Sequence, residues 1–188
     1  MIRTGDTIHN PLTGERVTFL ATAADTDGKA VVIETVVQPH GSVAAAHVHP
    51  SQSERFAVKS GKLGMKVGRE RRNLGAGQWL TVEPGTSHRF WNDGDERVTF
   101  VCEIRPALGF ESLLETMFAL AADGKTNRKG MPNLFRLAVI AEAHFDTVRL
   151  PFPPAWMQKA GLALGAPLGR LLGFKPAYEP EPGKLVTA

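Results

Sequence analysis

The 188 residues are enough for one domain, or for one domain with an extension. With 43% hydrophobic and 22% charged residues, the composition excludes wholesale disorder and predicts a packed core, and no run approaches the ~20 apolar residues of a membrane span. Cys102 is the only cysteine, which excludes an intramolecular disulfide. Because the N-terminus also has no apolar signal core, we expect a soluble cytoplasmic protein without stable membrane insertion.

The first part of the chain has the pattern of short strands separated by turns. Residues 7–26 predict a hairpin, and residues 30–39, almost continuously apolar and β-branched, predict a strand buried on both faces. Further strands are predicted in RFAVKSG, KLGMKVG, QWLTVEP, SHRFWND and RVTFVCEIRP. The basic segment GRERR lies between two of them, so we interpret it as an exposed hairpin turn and not as a nucleic-acid patch. This spacing of strands and turns indicates a sandwich or barrel.

Side-chain alternation assigns an inner face to two of these strands. In RFAVKSG and the residue before it, Glu54, Phe56 and Val58 share one face, and the charged residues take the other. In SHRFWND, His88 and Phe90 share a face, while Trp91 points away and needs a cover from the C-terminal region or a second subunit. The inner faces therefore combine apolar side chains with a carboxylate and an imidazole.

The pattern changes at Pro106, beyond which the apolar residues recur at helical spacing. We predict a helix from about Phe110, a second capped by Asn133, and a third over 154–173 interrupted at Pro167. The chain is thus divided into a β-domain, 1–108, and a helical extension with a loose C-terminal tail, 109–188. The extension is expected to brace the β-domain; a dimer interface, a lid over the barrel mouth and a membrane-surface contact are the alternatives.

Three potential metal ligands lie close together in the segment from Gly41 to Gly61. His47 and His49 are two residues apart, the same-face spacing of a strand, and Glu54 adds a carboxylate from the next strand. His9 and His40 lie outside this segment, and we expect them at the surface or in turns. The segment by itself supplies part of a metal site.

A second glycine-bounded segment resembles the partner motif of a known family. The first segment fits G-x5-H-x-H-x3,4-E-x6-G, and Gly77, Gly85, His88 and Asn92 fit G-x5-P-x-G-x2-H-x3-N, with Glu83 at the proline position and Pro84 following it. Together these segments resemble the paired motifs of the cupin superfamily, over roughly residues 7–106, and the single-domain cupin 2 type with quercetinase-like members in particular. The resemblance implies a mostly β fold, the cupin double-stranded β-helix or jelly-roll barrel, followed here by a C-terminal α-helical extension.

The resemblance also implies a site and a chemistry. His47, His49, Glu54 and His88 would bind one divalent transition metal, namely Fe, Mn, Ni, Co, Cu or Zn. Phe56, Val58 and Phe90 would form a substrate wall, although packing in the barrel core explains them equally well.

By analogy with quercetinase-like cupins we expect a dioxygenase-type oxidation of a small apolar or aromatic molecule, with Glu54 as ligand and possible catalytic base. The alternatives are a non-redox isomerase or decarboxylase and a non-catalytic small-molecule-binding cupin. A sugar-phosphate isomerase would need a basic anion pocket, which the inward positions do not supply. We also expect a homodimer and no nucleic-acid partner.

Overall fold

The computed structural model describes residues 2–43, 45–92 and 94–179, in which nine strands precede three helices. The strands are β1 (Thr7–Asn10), β2 (Glu15–Ala21), β3 (Val31–Val37), β4 (Ser53–Ser60), β5 (Lys62–Val67), β6 (Glu70–Gly75), β7 (Trp79–Val82), β8 (His88–Trp91) and β9 (Val98–Arg105). The helices are α1 (Phe110–Ala122), α2 (Leu134–Ala143) and α3 (Ala155–Leu171). The predicted fold class, mostly β with a C-terminal helical extension, is confirmed.

The strands form two antiparallel sheets. One has six strands in the order β1-β2-β3-β9-β4-β7, and the other has three in the order β6-β5-β8. The described strands do not close into a single hydrogen-bonded barrel. The sequence did not predict β6, because the basic segment was interpreted as a turn; Arg69 does lie in the turn, but Arg71 and Arg72 belong to the strand.

The two sheets enclose an apolar core, and side-chain alternation determines which residues enter it. In β4, Glu54, Phe56 and Val58 are buried while Arg55 and Lys59 are exposed, as predicted. The prediction of a strand buried on both faces is wrong for β3, whose residues alternate between buried and half-buried. Its apolar second face is only partly covered, so continuous hydrophobicity overestimated its burial.

The extension joins the β-domain unevenly. Phe110 and Phe118 of α1 belong to the main core, whereas α2 and α3 form a second small cluster around Val139 and Ala166. Asn133 caps α2 as predicted, because its side chain accepts a hydrogen bond from the Arg136 N–H at 2.9 Å. The first helix packs as part of the β-domain, and the other two pack mainly on each other.

The predicted interruption at Pro167 is wrong, because α3 is continuous through this residue. Proline removes a backbone donor and releases the carbonyl four residues earlier, here that of Ala163. Both residues lie on the exposed side of the helix, where water can satisfy that carbonyl. The same side exposes large apolar residues, including Trp156, Leu164 and Leu171.

Three further expectations can be compared with the structure. No helix within the described ranges is both long enough and apolar enough to cross a membrane. The loose tail was predicted over the last dozen residues, and its final part, 180–188, lies outside the described residues. Trp91, expected to be covered by the extension or by a second subunit, is half-buried within the chain and lies against the guanidinium groups of Arg71 and Arg89.

Candidate metal centre

Four side chains from three parts of the β-domain converge between the sheets. One potential ligand atom from each of His47, His49, Glu54 and His88 lies within 4.8 Å of all the others. His47 and His88 exchange backbone hydrogen bonds of 3.0 and 2.9 Å, which join the ligand segment to β8. His49, Glu54 and His88 are buried and His47 is half-buried. The four residues singled out in the sequence are therefore brought together.

The backbone orients all three imidazoles in the same way. The Nδ1 atom lies 2.9 Å from the Ala45 carbonyl in His47 and 3.1 Å from the Thr86 carbonyl in His88. In His49 it lies 2.6 Å from the carbonyl of Thr147. A carbonyl oxygen only accepts hydrogen bonds, so each Nδ1 carries the proton and donates. In the neutral form of each imidazole, the Nε2 atom is then the unprotonated nitrogen that can ligate a metal.

The helical extension contributes directly to this orientation. The segment that links α2 to α3 crosses the segment that carries His47 and His49. There Val48 and Arg149 exchange backbone hydrogen bonds of 2.9 and 3.0 Å. This pairing brings the Thr147 carbonyl to His49. The Thr147 hydroxyl in turn accepts a 3.3 Å hydrogen bond from the Gly109 N–H at the start of α1. The extension thus fixes one of the three imidazoles.

A buried glutamine completes the surroundings of His49. The Gln52 Oε1 lies 3.0 Å from His49 Nδ1, so it shares that donor with Thr147. The Gln52 Nε2 donates to the carbonyls of Pro106 and Ala107 at 2.7 and 3.0 Å. Gln52 is 1% exposed. Its amide therefore ties the imidazole to the junction between β9 and α1.

The charges of the cluster suit a cation. Burial acts to raise the pKa of Glu54, but the neighbouring His49 and His88 outweigh it and lower that pKa to about 2. Burial, together with His88 and His49, lowers the pKa of His47 to about 4. Burial also lowers the pKa of His88, yet its contact with Glu54 prevails and raises it. At neutral pH, Glu54 is ionised and His47 is neutral.

The buried polar atoms of the cluster fit a metal ion better than they fit one another. The Nε2 atoms of His49 and His88 and the Oε2 of Glu54 have no hydrogen-bond partner. The His88 Nε2 and the His49 Nε2 lie 2.6 and 3.6 Å from the same Glu54 Oε2. Buried polar groups without partners are costly, and a divalent ion would satisfy these atoms together.

The three residues expected to form a substrate wall are buried in the main apolar core. Phe56, Val58 and Phe90 are 2%, 3% and 8% exposed. Phe56 lies 6.1 Å from Phe90, 5.6 Å from Phe100 and 6.2 Å from His88, measured between ring centroids. Phe56 is thus the member of this group whose ring contacts a ligand imidazole.

Asn92 of the second motif and the other three histidines lie outside the cluster. The Asn92 Nδ2 donates to the carbonyls of Val37, Gln38 and Glu96, which ties the end of β8 to β3. His9 and His40 are exposed, as expected. His144 is buried at the end of α2, where burial lowers its pKa.

Sequence reasoning missed Gln52 and Thr147. Gln52 lies between His49 and Glu54, so a buried polar residue inside the motif was the available signal. Thr147 acts through a backbone carbonyl 98 residues after His49, and no side-chain pattern records such a contact.

Comparison with known proteins places this geometry in a family. Residues 33–103 match the family model Cupin_2, described as a cupin domain. This part of the chain therefore has the cupin fold, and a helical extension follows it. The matched range contains all four clustered residues.

Individual relatives are distant. An oxidoreductase of Arthrobotrys oligospora is 24% identical over 192 residues, covering 90% of this chain and 76% of that protein. A predicted oxalate decarboxylase of Thermotoga maritima matches in structure with a TM-score of 0.50 at 18% identity, covering 56% of this chain and 98% of that one. A sugar phosphate isomerase of Silicibacter pomeroyi matches with a TM-score of 0.45 at 20% identity, covering 50% of this chain and 60% of that one, less than two thirds of its length. At these identities, the structural likeness supports the fold alone.

Proposed function

We propose that the cluster binds one divalent transition metal, from among Fe, Mn, Ni, Co, Cu and Zn. The ligands are the Nε2 atoms of His47, His49 and His88 and the carboxylate of Glu54. The observation that carries this proposal is that every Nδ1 in the cluster faces a carbonyl acceptor, which leaves every Nε2 free to ligate. Three neutral imidazoles and one carboxylate would leave the site with a net charge of +1 and, in octahedral geometry, two positions for exogenous ligands.

The reaction we propose is a dioxygenase-type oxidation of a small apolar or aromatic molecule. When bound, the metal would supply Lewis acidity and a site at which O2 and the substrate meet. Both oxygen atoms would enter the substrate, which is oxidised, so no separate reductant is needed. The oxidoreductase relative supports this class of reaction at 24% identity. The set of three imidazoles and one carboxylate also supports it, because these ligands suit metals that can change oxidation state, such as Fe, Mn and Cu.

The residues of the chain take distinct roles in this proposal. The Oε2 of Glu54, which has no hydrogen-bond partner, would accept a proton from a hydroxyl group of the substrate. Phe56 would exclude water beside His88, and Val58 and Phe90 would support it as the apolar wall. Gln52 and the Thr147 carbonyl would hold His49 in its ligating orientation.

Elemental analysis of protein purified without added metal tests the first part. Wild type should hold about one metal ion per chain, and His47→Ala and His88→Ala should lose it. Arg89→Ala, which changes the neighbour of His88 on the opposite face of β8, is the matched control and should retain the metal. Equal metal content in wild type and the histidine variants would refute the site.

Oxygen uptake with a panel of phenolic compounds tests the reaction. We expect consumption by the loaded wild type, incorporation of both atoms of labelled O2 into the product, and a large loss of rate in Glu54→Gln. Turnover of a substrate without oxygen uptake would instead indicate a non-redox isomerase or decarboxylase. Saturable binding of a small molecule without turnover would indicate a binding module.

The same proposal includes a homodimer in the cytoplasm, without a nucleic-acid partner, and a division into a β-domain of residues 1–108 and an extension from residue 109. Light scattering of the purified protein would give the oligomeric state. Limited proteolysis would show where the division of the chain lies.

A further inference from the structure

The outer face of the three-stranded sheet carries three cations in a row. Lys66 of β5 lies directly opposite Arg71 of β6 on one side and directly opposite Arg89 of β8 on the other. Directly opposed residues in antiparallel strands project from the same face with Cβ atoms about 4.5–5.5 Å apart, and like charges in such pairs destabilise a sheet. The row therefore has an electrostatic cost that a bound anion would remove.

No carboxylate on this face, among the described residues, offsets the row. Alternation assigns to the face Lys62, Gly64, Lys66, Arg71, Asn73, Gly75, Arg89 and Trp91. The salt bridges within residues 2–43, 45–92 and 94–179 involve neither Lys66, Arg71 nor Arg89. The nearby Glu70 has the opposite alternation and pairs with Arg72.

An aromatic platform holds the two guanidinium groups. The Arg71 and Arg89 guanidinium carbons lie 5.7 and 5.5 Å from the centroid of the Trp91 ring. Gly64 lies beneath this ring, where a Cβ would come within 2.5 Å of the indole Nε1. A guanidinium held against an aromatic ring keeps its planar fork of donors available, and that fork matches the oxygens of a carboxylate or phosphate.

Cavities of ligand size adjoin the row. Arg71, Arg89 and Trp91 line a cavity of about 370 Å³, with His40 and Ser42 among the other lining residues. Arg89 also lines a second cavity, of about 340 Å³, together with Lys66, Ser87 and His88. Both volumes are in the range of small-molecule sites. The row itself spans two strand spacings, about 10 Å, which is room for one or two anionic groups.

We propose that this face binds a small organic oxoanion through Lys66, Arg71 and Arg89, with Trp91 as the platform. The recognised chemistry is a phosphate or carboxylate group, and the short row of three cations favours a small molecule over a nucleic-acid strand. The Arg89 and Trp91 side chains project from the face of β8 opposite to that of His88.

Calorimetric titration of the full chain with pyrophosphate, and separately with citrate, tests the proposal at low ionic strength, where screening is weak. Saturable binding of either probe supports an oxoanion site, and the ratio of the two affinities distinguishes phosphate from carboxylate recognition. Arg71→Gln and Arg89→Gln should each weaken binding about tenfold or more, because each removes a charged donor fork. Arg71→Lys should recover only part of the loss, because it restores the charge without the fork.

Arg72→Gln is the matched control, since Arg72 is on the same strand with the opposite alternation and already pairs with Glu70. It should leave binding unchanged. Lys66→Gln should raise the melting temperature without ligand, by relieving repulsion, and should reduce the stabilisation that pyrophosphate gives. An equal loss in Arg72→Gln, the absence of saturable binding of both probes, or tighter binding of a single-stranded oligonucleotide through the same residues would each overturn the proposal.

Discussion

The two faces of β8 differ in how their polar and charged side chains are placed. The inward residues His88 and Phe90, and Asn92 directly after the strand, are buried. The His88 Nδ1 and the Asn92 amide nitrogen both have backbone acceptors. The outward residues Arg89 and Trp91 are exposed and half-buried, and Arg89 has no ion-pair partner among the described residues. A strand of four residues thus serves a buried centre on one side and an open basic surface on the other.

The difference shows what each candidate site needs from the fold. Inside, burial makes every polar atom costly, so the orientation of each imidazole is fixed by the backbone and the unpartnered atoms all converge on one point. Outside, solvent tolerates unpaired cations, and the register of the strands places them side by side. The inward site should therefore be sensitive to packing, and the outward site to charge.

The largest expected effect is on the inward side. Phe56→Ala removes a ring that packs against Phe90, Phe100 and His88, and should cost about 3–5 kcal/mol of the free energy of unfolding. Urea unfolding would measure it. The control is Trp79→Ala, whose side chain is 59% exposed beneath Arg55 and which should cost less than about 1 kcal/mol. Similar losses in both variants would contradict the contrast between buried and exposed positions.

Glu15 is an inward carboxylate outside the metal cluster. Burial raises its pKa from 4.5 to about 7. Its contribution to stability is fully present below the unfolded pKa, and is lost as the pH rises to the folded pKa, because the unfolded state ionises first. The loss should amount to about 3 kcal/mol between pH 4.5 and pH 8, at 1.36 kcal/mol per pKa unit.

Glu15→Gln should abolish this dependence. Urea unfolding at both pH values would give the difference in free energy of unfolding between wild type and variant, which should change with pH. The titration of the histidines, which both proteins share, cancels from this difference. If the two proteins kept a constant difference in stability, the raised pKa of Glu15 would be wrong.

The sequence predicted the inward side well. The His47 and His49 spacing and the alternation around Glu54 and His88 depend on local geometry, and both sheets preserve that geometry. The cap at Asn133 is equally local and was also predicted correctly. Features that depend on two or three residues of one strand or turn are accessible to such reasoning.

The row of cations on the outer face and the contact of the Thr147 carbonyl with His49 were not predictable in this way. Lys66, Arg71 and Arg89 meet only through the register of three strands, and β6 was taken for a turn. The Thr147 carbonyl reaches His49 through a pairing of Val48 with Arg149 that has no side-chain signature. Long-range register and backbone contacts are the information that single-residue patterns do not hold.

Gln52→Ala tests whether the inward site depends on its surroundings. The change leaves the carbonyls of Pro106 and Ala107 without their donor, and should cost about 1–3 kcal/mol of the free energy of unfolding. It also removes one acceptor from His49, so metal affinity should fall about 10- to 100-fold. Competition with a chelator would measure the affinity. An unchanged affinity in a folded variant would assign the orientation of His49 to Thr147 alone.

Gly64→Ala should have a moderate effect on stability and the most selective effect on function. The added Cβ would lie 2.5 Å from the Trp91 Nε1, so the indole must shift, at a cost of about 1–3 kcal/mol. Because Arg71 and Arg89 lie against that ring, pyrophosphate binding should weaken several-fold. The metal content should stay the same, because the change is on the outward face. Loss of metal together with anion binding would mean that the two faces of β8 are coupled through the strand, and the separation of the two sites would then fail.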